Sequence, residues 1–228
     1  MNILPELIYV SLINPSKISA DMKKCLFIVI DGIDGSGKSE TIKMLHNYLF
    51  SKNKTFRILT TREPTNGNYG KQIRKMLSKE KNPKSNSKKL MGLFLKDRRE
   101  HLKYTIEPFL KMSNDNEINI VLCDRYYYST IAFQGAQGLD MNELVKKNKN
   151  FRKPDIAFIL DVEPSLALKR IEYRKKEKFE QLEFMKKIRA NFLKLPKLLK
   201  DKIKIIDSSK SLKNAFISVR KEIDKILD

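Results

Sequence analysis

The stretch Gly32–Ser39, with the sequence GIDGSGKS, constrains the fold of this chain more than any other. It fits the pattern G-x-x-x-x-G-K-[ST], whose backbone cradles phosphate groups. The continuous apolar run Cys25–Ile30 precedes it and predicts a buried parallel strand. Apolar residues at helical spacing follow, which predicts a helix beginning near Lys38. Strand, loop and helix in this order favour a phosphate-binding loop over a glycine-rich turn that binds nothing.

The residue types in this loop suit an anionic ligand. Gly32, Gly35 and Gly37 allow backbone angles that other residues avoid, so amide groups can approach an anion closely. The helix N-terminus adds free N–H groups and a partial positive charge. We expect Lys38 to reach the outer phosphates of a nucleotide and the Ser39 hydroxyl to hold Mg²⁺.

The rest of the chain repeats the alternation of strand and helix. Further apolar runs at 56–60, 118–123, 156–160 and 203–206 predict four more strands. Helical patterns occur at 70–78, 88–111, 128–135, within 139–153, and at 164–173, 179–195 and 212–227. The helix predicted over 88–111 is expected to bend or restart near Pro108. This alternation predicts a parallel, doubly wound α/β sheet with right-handed crossovers. Ligands of such sheets bind beyond the carboxyl ends of the strands, where the loop, Arg62, Asp124, Arg125 and Asp207 would meet.

Size and charge set the class of protein. A chain of 228 residues with 41% hydrophobic residues makes one α/β domain, which we place at residues 23–228. Residues 1–22 are an apolar extension without a basic start, and they form a tail, a helix packed on the domain or a partner contact. The net charge of +20 suits nucleic acid or polyanionic substrates. Because the lysines are spread over helix surfaces, we expect a solvated basic surface and no nucleic-acid partner.

Cysteine, histidine and hydropathy indicate the compartment. Cys25 and Cys123 fall in predicted buried strands, and no metal-ligand spacing joins them to His46 or His101. We expect core or surface roles for these four residues. A cytoplasmic, reduced location follows, and no run is long enough to span a membrane.

Arginines near the predicted strand ends suggest a second anion site. The candidates for binding a second anion are Arg62, Arg98 and Arg125. The alternative for each is an ordinary surface position, although Arg125 follows a buried strand directly. Asp124 either holds Mg²⁺ through water, orients an acceptor phosphate, caps a helix or pairs with Arg125. The basic run at about 170–180 is either a solvated surface or a lid that lowers cations onto a transferring phosphoryl group.

Five blocks of sequence resemble the thymidylate kinase family, in the family's order. They are IDGIDGSGKS (30–39), TREPT (61–65), LFLKDRREH (93–101), DRYYYSTIAFQG (124–135) and KFE (178–180). The resemblance implies an α/β three-layer P-loop kinase fold, with a five-stranded parallel sheet flanked by helices and a short basic lid. It also implies a homodimer that transfers the γ-phosphoryl group of ATP to dTMP, giving dTDP, with Mg²⁺ as cofactor.

The resemblance also implies roles for residues. ATP would be bound by Gly32, Ile33, Asp34, Gly35, Ser36, Gly37, Lys38 and Ser39. dTMP would be bound by Asp34, Arg62, Phe94, Arg98, Arg125, Ser129, Thr130, Phe133 and Gln134. The catalytic residues would be Lys38, Asp124, Arg125, Arg170 and Arg174, and the metal would be held by Ser39 and Asp124, directly or through water.

Within the dTMP set, the resemblance gives separate tasks. Phe94 would stack on thymine, and Arg98, one turn later on the same helix face, would bond its edge. Arg125 would hold the phosphate, Asp34 would face the sugar 3′-hydroxyl or the phosphate, and Phe133 would crowd the sugar 2′ position.

Some positions depart from the family pattern. Asp31 stands where Glu is more frequent, and Ser36 stands where some members carry Arg, so the catalytic cation should come from the lid. Other functions stay open from sequence alone. They are another nucleoside monophosphate or deoxynucleoside kinase, a P-loop NTPase that binds nucleic acid, and a family member without activity.

Overall fold

In the part of the chain that the structure describes, five parallel strands form one sheet. The structure is a computed structural model and describes residues 25–79, 86–112, 116–171 and 178–227. The strands are β1 (Cys25–Gly32), β2 (Phe56–Arg62), β3 (Ile118–Asp124), β4 (Ile156–Asp161) and β5 (Ile203–Asp207). Their order is β2-β3-β1-β4-β5, and every pairing is parallel. The predicted strands are confirmed, and each continues one or two residues beyond its predicted end.

Helices cover both faces of the sheet. They are α1 (Lys38–Lys52), α2 (Asn68–Lys79), α3 (Ser87–His101), α4 (Glu107–Lys111), α5 (Tyr127–Ala136), α6 (Met141–Asn148), α7 (Pro164–Arg170), α8 (Lys178–Leu198) and α9 (Leu212–Leu227). Alternate residues of β1 face opposite sides: Phe27 packs in the core beneath α5 and α8, and Ile28 packs in the core beneath α1 and α9. The three central strands β3, β1 and β4 are mainly apolar because both of their faces are buried, whereas the edge strands β2 and β5 carry polar residues and are partly exposed. The result is the three-layer α/β fold expected from the sequence.

The long helix predicted over 88–111 is interrupted before Pro108. A π-helical turn, Leu102–Ile106, joins α3 to α4, and the Glu107 N–H bonds to the carbonyl oxygen of Leu102, five residues back. Pro108 has no N–H, and in a regular α-helix its ring would crowd the carbonyl of Tyr104 four residues earlier. The wider π turn accommodates both constraints, so the irregularity lies one turn before the proline rather than at it.

Several sequence predictions lie outside the described residues. They include the extension at 1–22, the end of the predicted helix at Tyr173, and most of the lid with Arg174. The domain boundary and the lid therefore stay predictions. No helix in the described part of the chain has the length and apolar character that crossing a membrane requires.

The carboxyl ends of the strands lie along one edge of the sheet. Arg62 at the end of β2 is in register with Asp124 at the end of β3, and Asp124 is in register with Ile30, two residues before the end of β1. The glycine-rich loop begins at this end of β1. The prediction that the loop, Arg62 and Asp124 share an edge is confirmed.

Candidate active site

The loop between β1 and α1 has the backbone that its glycines predict. Gly32, Gly35 and Gly37 have φ angles of 142°, 78° and 92°. A Cβ at Gly35 would lie 2.3 Å from the carbonyl oxygen of Ala167, so this position also requires glycine for space. Helix α1 begins at Lys38 without a side-chain cap. Its first amide groups are therefore available for an anion.

Lys38 is held inside this loop. Its side chain is buried, and its Nζ donates a hydrogen bond of 2.8 Å to the carbonyl oxygen of Ile33. Burial, together with the positive charge of Arg125, lowers the pKa of Lys38 to about 8, against the opposing effect of Asp34 and Asp124. No carboxylate of the described residues lies within 4 Å of the ammonium group, which leaves the charge available for a phosphate.

A cavity of about 310 Å³ opens above the loop. Its lining residues are Asp34, Gly35, Gly37, Lys38, Ser39, Glu40, Arg62, Glu63, Pro64, Asp124 and Arg125. The predicted phosphate and metal residues Lys38, Ser39, Asp124 and Arg125 thus come together. Arg62, predicted to bind dTMP, lies here and not in the nucleoside cavity described below. We call this space the phosphate cavity.

One corner of the phosphate cavity fits a hard divalent cation. Ser39 Oγ donates a hydrogen bond of 2.8 Å to Asp124 Oδ2. Asp124 Oδ1 is buried and has no hydrogen-bond partner among the described residues. No group of three or more histidine, cysteine or acidic side chains able to hold a metal occurs in that same part of the chain. Mg²⁺ bound largely through phosphates and water needs only one or two protein oxygens, so this donor set suits it.

Arg125 is held in a strained conformation between the loop and α5. Its φ is 68°, a value rare for residues with a side chain. Its guanidinium donates to the Gly32 carbonyl at 3.2 Å, to Ser129 Oγ at 3.0 Å and to the Asp34 carboxylate. Burial opposes the ionisation of Asp34, but the charges of Arg125 and Lys38 outweigh it and lower the pKa of Asp34.

Asp31 was noted in the sequence as a departure from the family pattern, but no role in the site was predicted for it. It is fully buried and accepts hydrogen bonds from the backbone N–H groups of Gly32, Tyr126 and Ser129, and from Ser129 Oγ at 2.7 Å. Burial raises the pKa of Asp31, although the charge of Arg125 and these bonds oppose the shift. Asp31 ties the turn that carries Arg125 to the end of β1. Its place beside Gly32 at the end of a buried strand was the available signal.

A second cavity, of about 430 Å³, lies beside the first. Its lining residues are Asp34, Glu63, Pro64, Leu77, Phe94, Arg98, Arg125, Tyr126, Ser129, Phe133, Gln134, Gln137 and Phe184. It contains seven of the nine predicted dTMP residues, and we call it the nucleoside cavity. Thr130 stands behind it, buried, with its Oγ1 accepting a 3.0 Å bond from Arg98. The remaining six lining residues, Glu63, Pro64, Leu77, Tyr126, Gln137 and Phe184, were not predicted.

Arg98 is fully buried in a polar network. Its Nε and Nη2 donate to Glu63 Oε2 at 3.0 and 2.6 Å, and its Nη1 donates to Asn148 Oδ1 at 2.7 Å. The guanidinium carbon lies 5.1 Å from the ring centre of Tyr126 and 5.5 Å from that of Phe151. These contacts fix the guanidinium at the wall of the nucleoside cavity.

Gln134 presents an unused acceptor in the nucleoside cavity. Its side chain is buried, and Nε2 lies 3.2 Å from Gln137 Oε1. Its Oε1 has no partner among the residues that the structure describes. A buried amide oxygen without a partner costs free energy, which a ligand N–H would recover.

Besides Thr130, four predicted residues of the described chain line neither cavity: Gly32, Ile33, Ser36 and Arg170. Arg170 donates to the carbonyl oxygens of Ser208 and Ser209 at 3.0 Å and to that of Gly35 at 3.5 Å. The Ile33 side chain packs in the core, and its carbonyl oxygen serves Lys38. The Ser36 side chain is buried away from the phosphate cavity. Arg170 thus holds the loop after β5 against the glycine-rich loop.

The two cavities share a wall formed by Asp34, Glu63, Pro64 and Arg125. A phosphate-binding loop at the end of β1, joined in this way to an aromatic cavity, defines a nucleotide kinase of the P-loop class. A family model described as thymidylate kinase matches residues 30–219. The chain belongs to the thymidylate kinase family.

Individual relatives agree with the family model. A protein of Pyrococcus horikoshii named probable thymidylate kinase is 36% identical over 193 residues, which cover 82% of this chain and 90% of the relative. A thymidylate kinase of Leptospira interrogans is 42% identical over 187 residues, which cover 80% and 86% of the two chains. The crystal structure of thymidylate kinase from Ehrlichia chaffeensis is similar with a TM-score of 0.67 and 28% identity, over 87% of this chain and 98% of that one.

Proposed function

We propose that this protein transfers the γ-phosphoryl group of ATP to dTMP, giving ADP and dTDP. The observation that carries the proposal is the junction of the two cavities. The phosphate cavity contains the loop and Lys38, and the nucleoside cavity contains Phe94 and Gln134. Two nucleotides bound in these cavities would bring their phosphates together at the shared wall, beside Arg125.

The nucleoside cavity supplies groups for each part of dTMP. The ring of Phe94 stacks on thymine, and Arg98 bonds an acceptor on the edge of the base. Gln134 Oε1, which has no partner in the described chain, accepts the thymine N3–H. Phe133, whose ring centre lies 5.5 Å from the Arg125 guanidinium, sits close to the phosphate and crowds the 2′ position of the sugar.

The reaction is an in-line displacement. A phosphate oxygen of dTMP forms the new bond to the γ-phosphorus of ATP, and the bond from that phosphorus to the β–γ bridging oxygen breaks, leaving ADP. Lys38 and the amide groups of the loop stabilise charge on the transferring group, and Arg125 orients the acceptor phosphate. Mg²⁺, which Ser39 and Asp124 would hold, supplies further charge neutralisation between the phosphates. A phosphate monoester is already largely ionised near neutral pH, so no strong general base is needed.

Other features belong to the same proposal. A basic lid at about 170–180 supplies a cation to the transferring group, and Arg170 and Arg174 are the candidates. The domain spans residues 23–228, after an extension at 1–22. The protein is a cytoplasmic homodimer. The family resemblance supports the lid and the dimer, and two unpaired cysteines, Cys25 and Cys123, support a reducing location.

An acceptor panel tests this function. Release of ADP is measured with Mg²⁺-ATP and, separately, dTMP, dUMP, AMP, CMP or thymidine. We expect a clear preference for dTMP in kcat/KM. A preference for another acceptor would overturn the choice of substrate. Phosphate release that needs no acceptor, together with salt-dependent DNA binding, would favour the NTPase alternative.

The lowered pKa of Lys38 predicts that ATP binding takes up a proton. Above pH 8 the free enzyme has largely neutral Lys38, whereas a bound polyphosphate favours its charged form. At pH 8.5 we expect uptake of about three quarters of a proton per ATP bound. The affinity for ATP should be about fivefold weaker at pH 9 than at pH 8. Calorimetric titration with Mg²⁺ and a non-hydrolysable ATP analogue, in buffers of different ionisation enthalpy, measures both. Lys38→Arg should abolish the uptake because arginine stays charged, and zero uptake by the unmodified enzyme would contradict the prediction.

A further inference from the structure

His101, which the proposed reaction leaves without a role, lines a separate cavity of about 510 Å³ and contacts Glu63, a lining residue of both the phosphate cavity and the nucleoside cavity. It is the last residue of α3, and its side chain is only 2% exposed. Its Nδ1 lies 3.2 Å from Glu63 Oε1, and its Nε2 lies 2.7 Å from Thr61 Oγ1. One neutral form of the ring satisfies both contacts, with Nδ1–H donating to Glu63 and Nε2 accepting the Thr61 hydroxyl proton. The ring is thus oriented from both sides.

The contact with His101 decides how Glu63 holds Arg98. The backbone of Glu63 is fixed because its N–H donates to the Asp124 carbonyl oxygen at 3.0 Å. Its carboxylate is divided: Oε1 accepts from His101, and Oε2 accepts both the Nε and Nη2 bonds of Arg98. Arginine and carboxylate usually pair through both oxygens, in two parallel bonds. Here the bond from His101 orients the carboxylate through Oε1, and both Arg98 bonds are made to Oε2.

That position gives Arg98 its other contacts. Nη2, besides donating to Glu63, donates to Thr130 Oγ1 at 3.0 Å, and Nη1 donates to Asn148 Oδ1 at 2.7 Å. Without the bond from His101, the Glu63 carboxylate would be free to rotate, and the guanidinium would turn to form the two-oxygen pair with it. The turn would weaken the bond to Thr130 and move Nη1, which bonds only Asn148 among the described residues and so keeps one N–H for the base.

We propose that His101 is a positioning residue for the acceptor nucleotide, acting through Glu63 to set the orientation of the Arg98 guanidinium. This inference rests on the proposed function, in which His101 touches neither dTMP nor ATP. Its effect is on the binding of the acceptor base and not on phosphoryl transfer or on ATP. Loss of the bond to Glu63 therefore raises the KM for dTMP and leaves kcat and the KM for ATP nearly unchanged.

Two substitutions separate the contacts of His101. Asparagine places its amide N–H near the position of Nδ1, and glutamine places its amide near the position of Nε2. His101→Gln should lose the bond to Glu63 and raise the KM for dTMP about five- to tenfold, with kcat within about threefold. His101→Asn should keep the bond to Glu63, and its KM for dTMP should rise by less than about twofold. His46→Gln is the matched control, because His46 also contacts a threonine hydroxyl, Thr60 at 3.2 Å, but lines neither cavity.

Steady-state kinetics of the full chain, with dTMP and ATP varied separately, decide the matter. A selective rise in the KM for dTMP in His101→Gln, absent in His101→Asn and His46→Gln, supports the proposal. An equal KM for dTMP in the two His101 variants overturns it. A fall in kcat together with a rise in the KM values for both dTMP and ATP also overturns it. If both variants fail to fold, Thr61→Val gives a second test, since loss of the hydroxyl removes the contact that orients the ring at Nε2 and should raise the KM for dTMP in the same selective way. No activity of the unmodified enzyme on dTMP would overturn the proposed function, and this inference with it.

Discussion

Replacing Lys38 with alanine is expected to lower kcat by at least ~10²-fold, because one pre-organised positive charge is lost from the phosphate cavity. The side chain is buried, and its Nζ is held by the Ile33 carbonyl, so its position is set before ATP arrives. A charge that needs no reorganisation during the reaction stabilises the transition state more than a mobile one. The measurement is kcat at saturating ATP and dTMP.

A matched control comes from the same helix. Lys43 also lies on α1, but its side chain is exposed and lines neither cavity. Lys43→Ala should leave kcat within about twofold, as surface substitutions usually do. Near-normal turnover of Lys38→Ala would reject the role assigned to Lys38. An equal loss in both variants would point to damage to α1 instead.

Replacing Arg98 with methionine is expected to destabilise the protein by about 3–5 kcal/mol, because Glu63 would remain as a buried charge with its main partner removed. Both side chains of the pair are at most 2% exposed, with 2.6 Å between Arg98 Nη2 and Glu63 Oε2. Methionine retains most of the aliphatic volume, so the loss of charge dominates over a cavity. Urea unfolding of the ligand-free protein measures the change in the free energy of unfolding.

Two further variants make this result specific. Glu63→Gln combined with Arg98→Met should be more stable than Arg98→Met alone, since no unpaired charge is left. Arg57→Ala removes an exposed pair, 3.2 Å from Glu117, and should cost less than about 1 kcal/mol. If Arg98→Met cost no more than Arg57→Ala, the buried network would not contribute to stability as described.

The fold follows from signals that are local in the sequence. Each strand contains a short apolar run, and four of the five strands end at a charged residue, as β3 does at Asp124. The glycine-rich loop is equally local, because Gly32, Gly35 and Gly37 are needed for backbone angles within eight residues. The position of the π turn before Pro108 was harder to predict from the sequence, because it depends on how the chain relieves a clash and not on the proline alone.

The unpredicted site residues depend on contacts between distant segments. Glu63 was visible in the TREPT block, but its partner Arg98 is 35 residues away. Leu77 and Phe184 reach the nucleoside cavity from α2 and α8. Their sequence neighbourhoods carry no sign of this, because the packing of two helices brings them there. The role of Arg170 stays a prediction, and here its guanidinium bonds three carbonyl oxygens.

The central claim is that two nucleotides bind with their phosphates meeting at the wall shared by the two cavities. A crystal structure with dTMP and a non-hydrolysable ATP analogue bound together tests it most directly. We expect the pyrimidine between Phe94 and Gln134, and its phosphate at Arg125, facing the triphosphate held by Lys38. A pyrimidine bound away from this cavity, with its phosphate distant from the glycine-rich loop, would contradict the account.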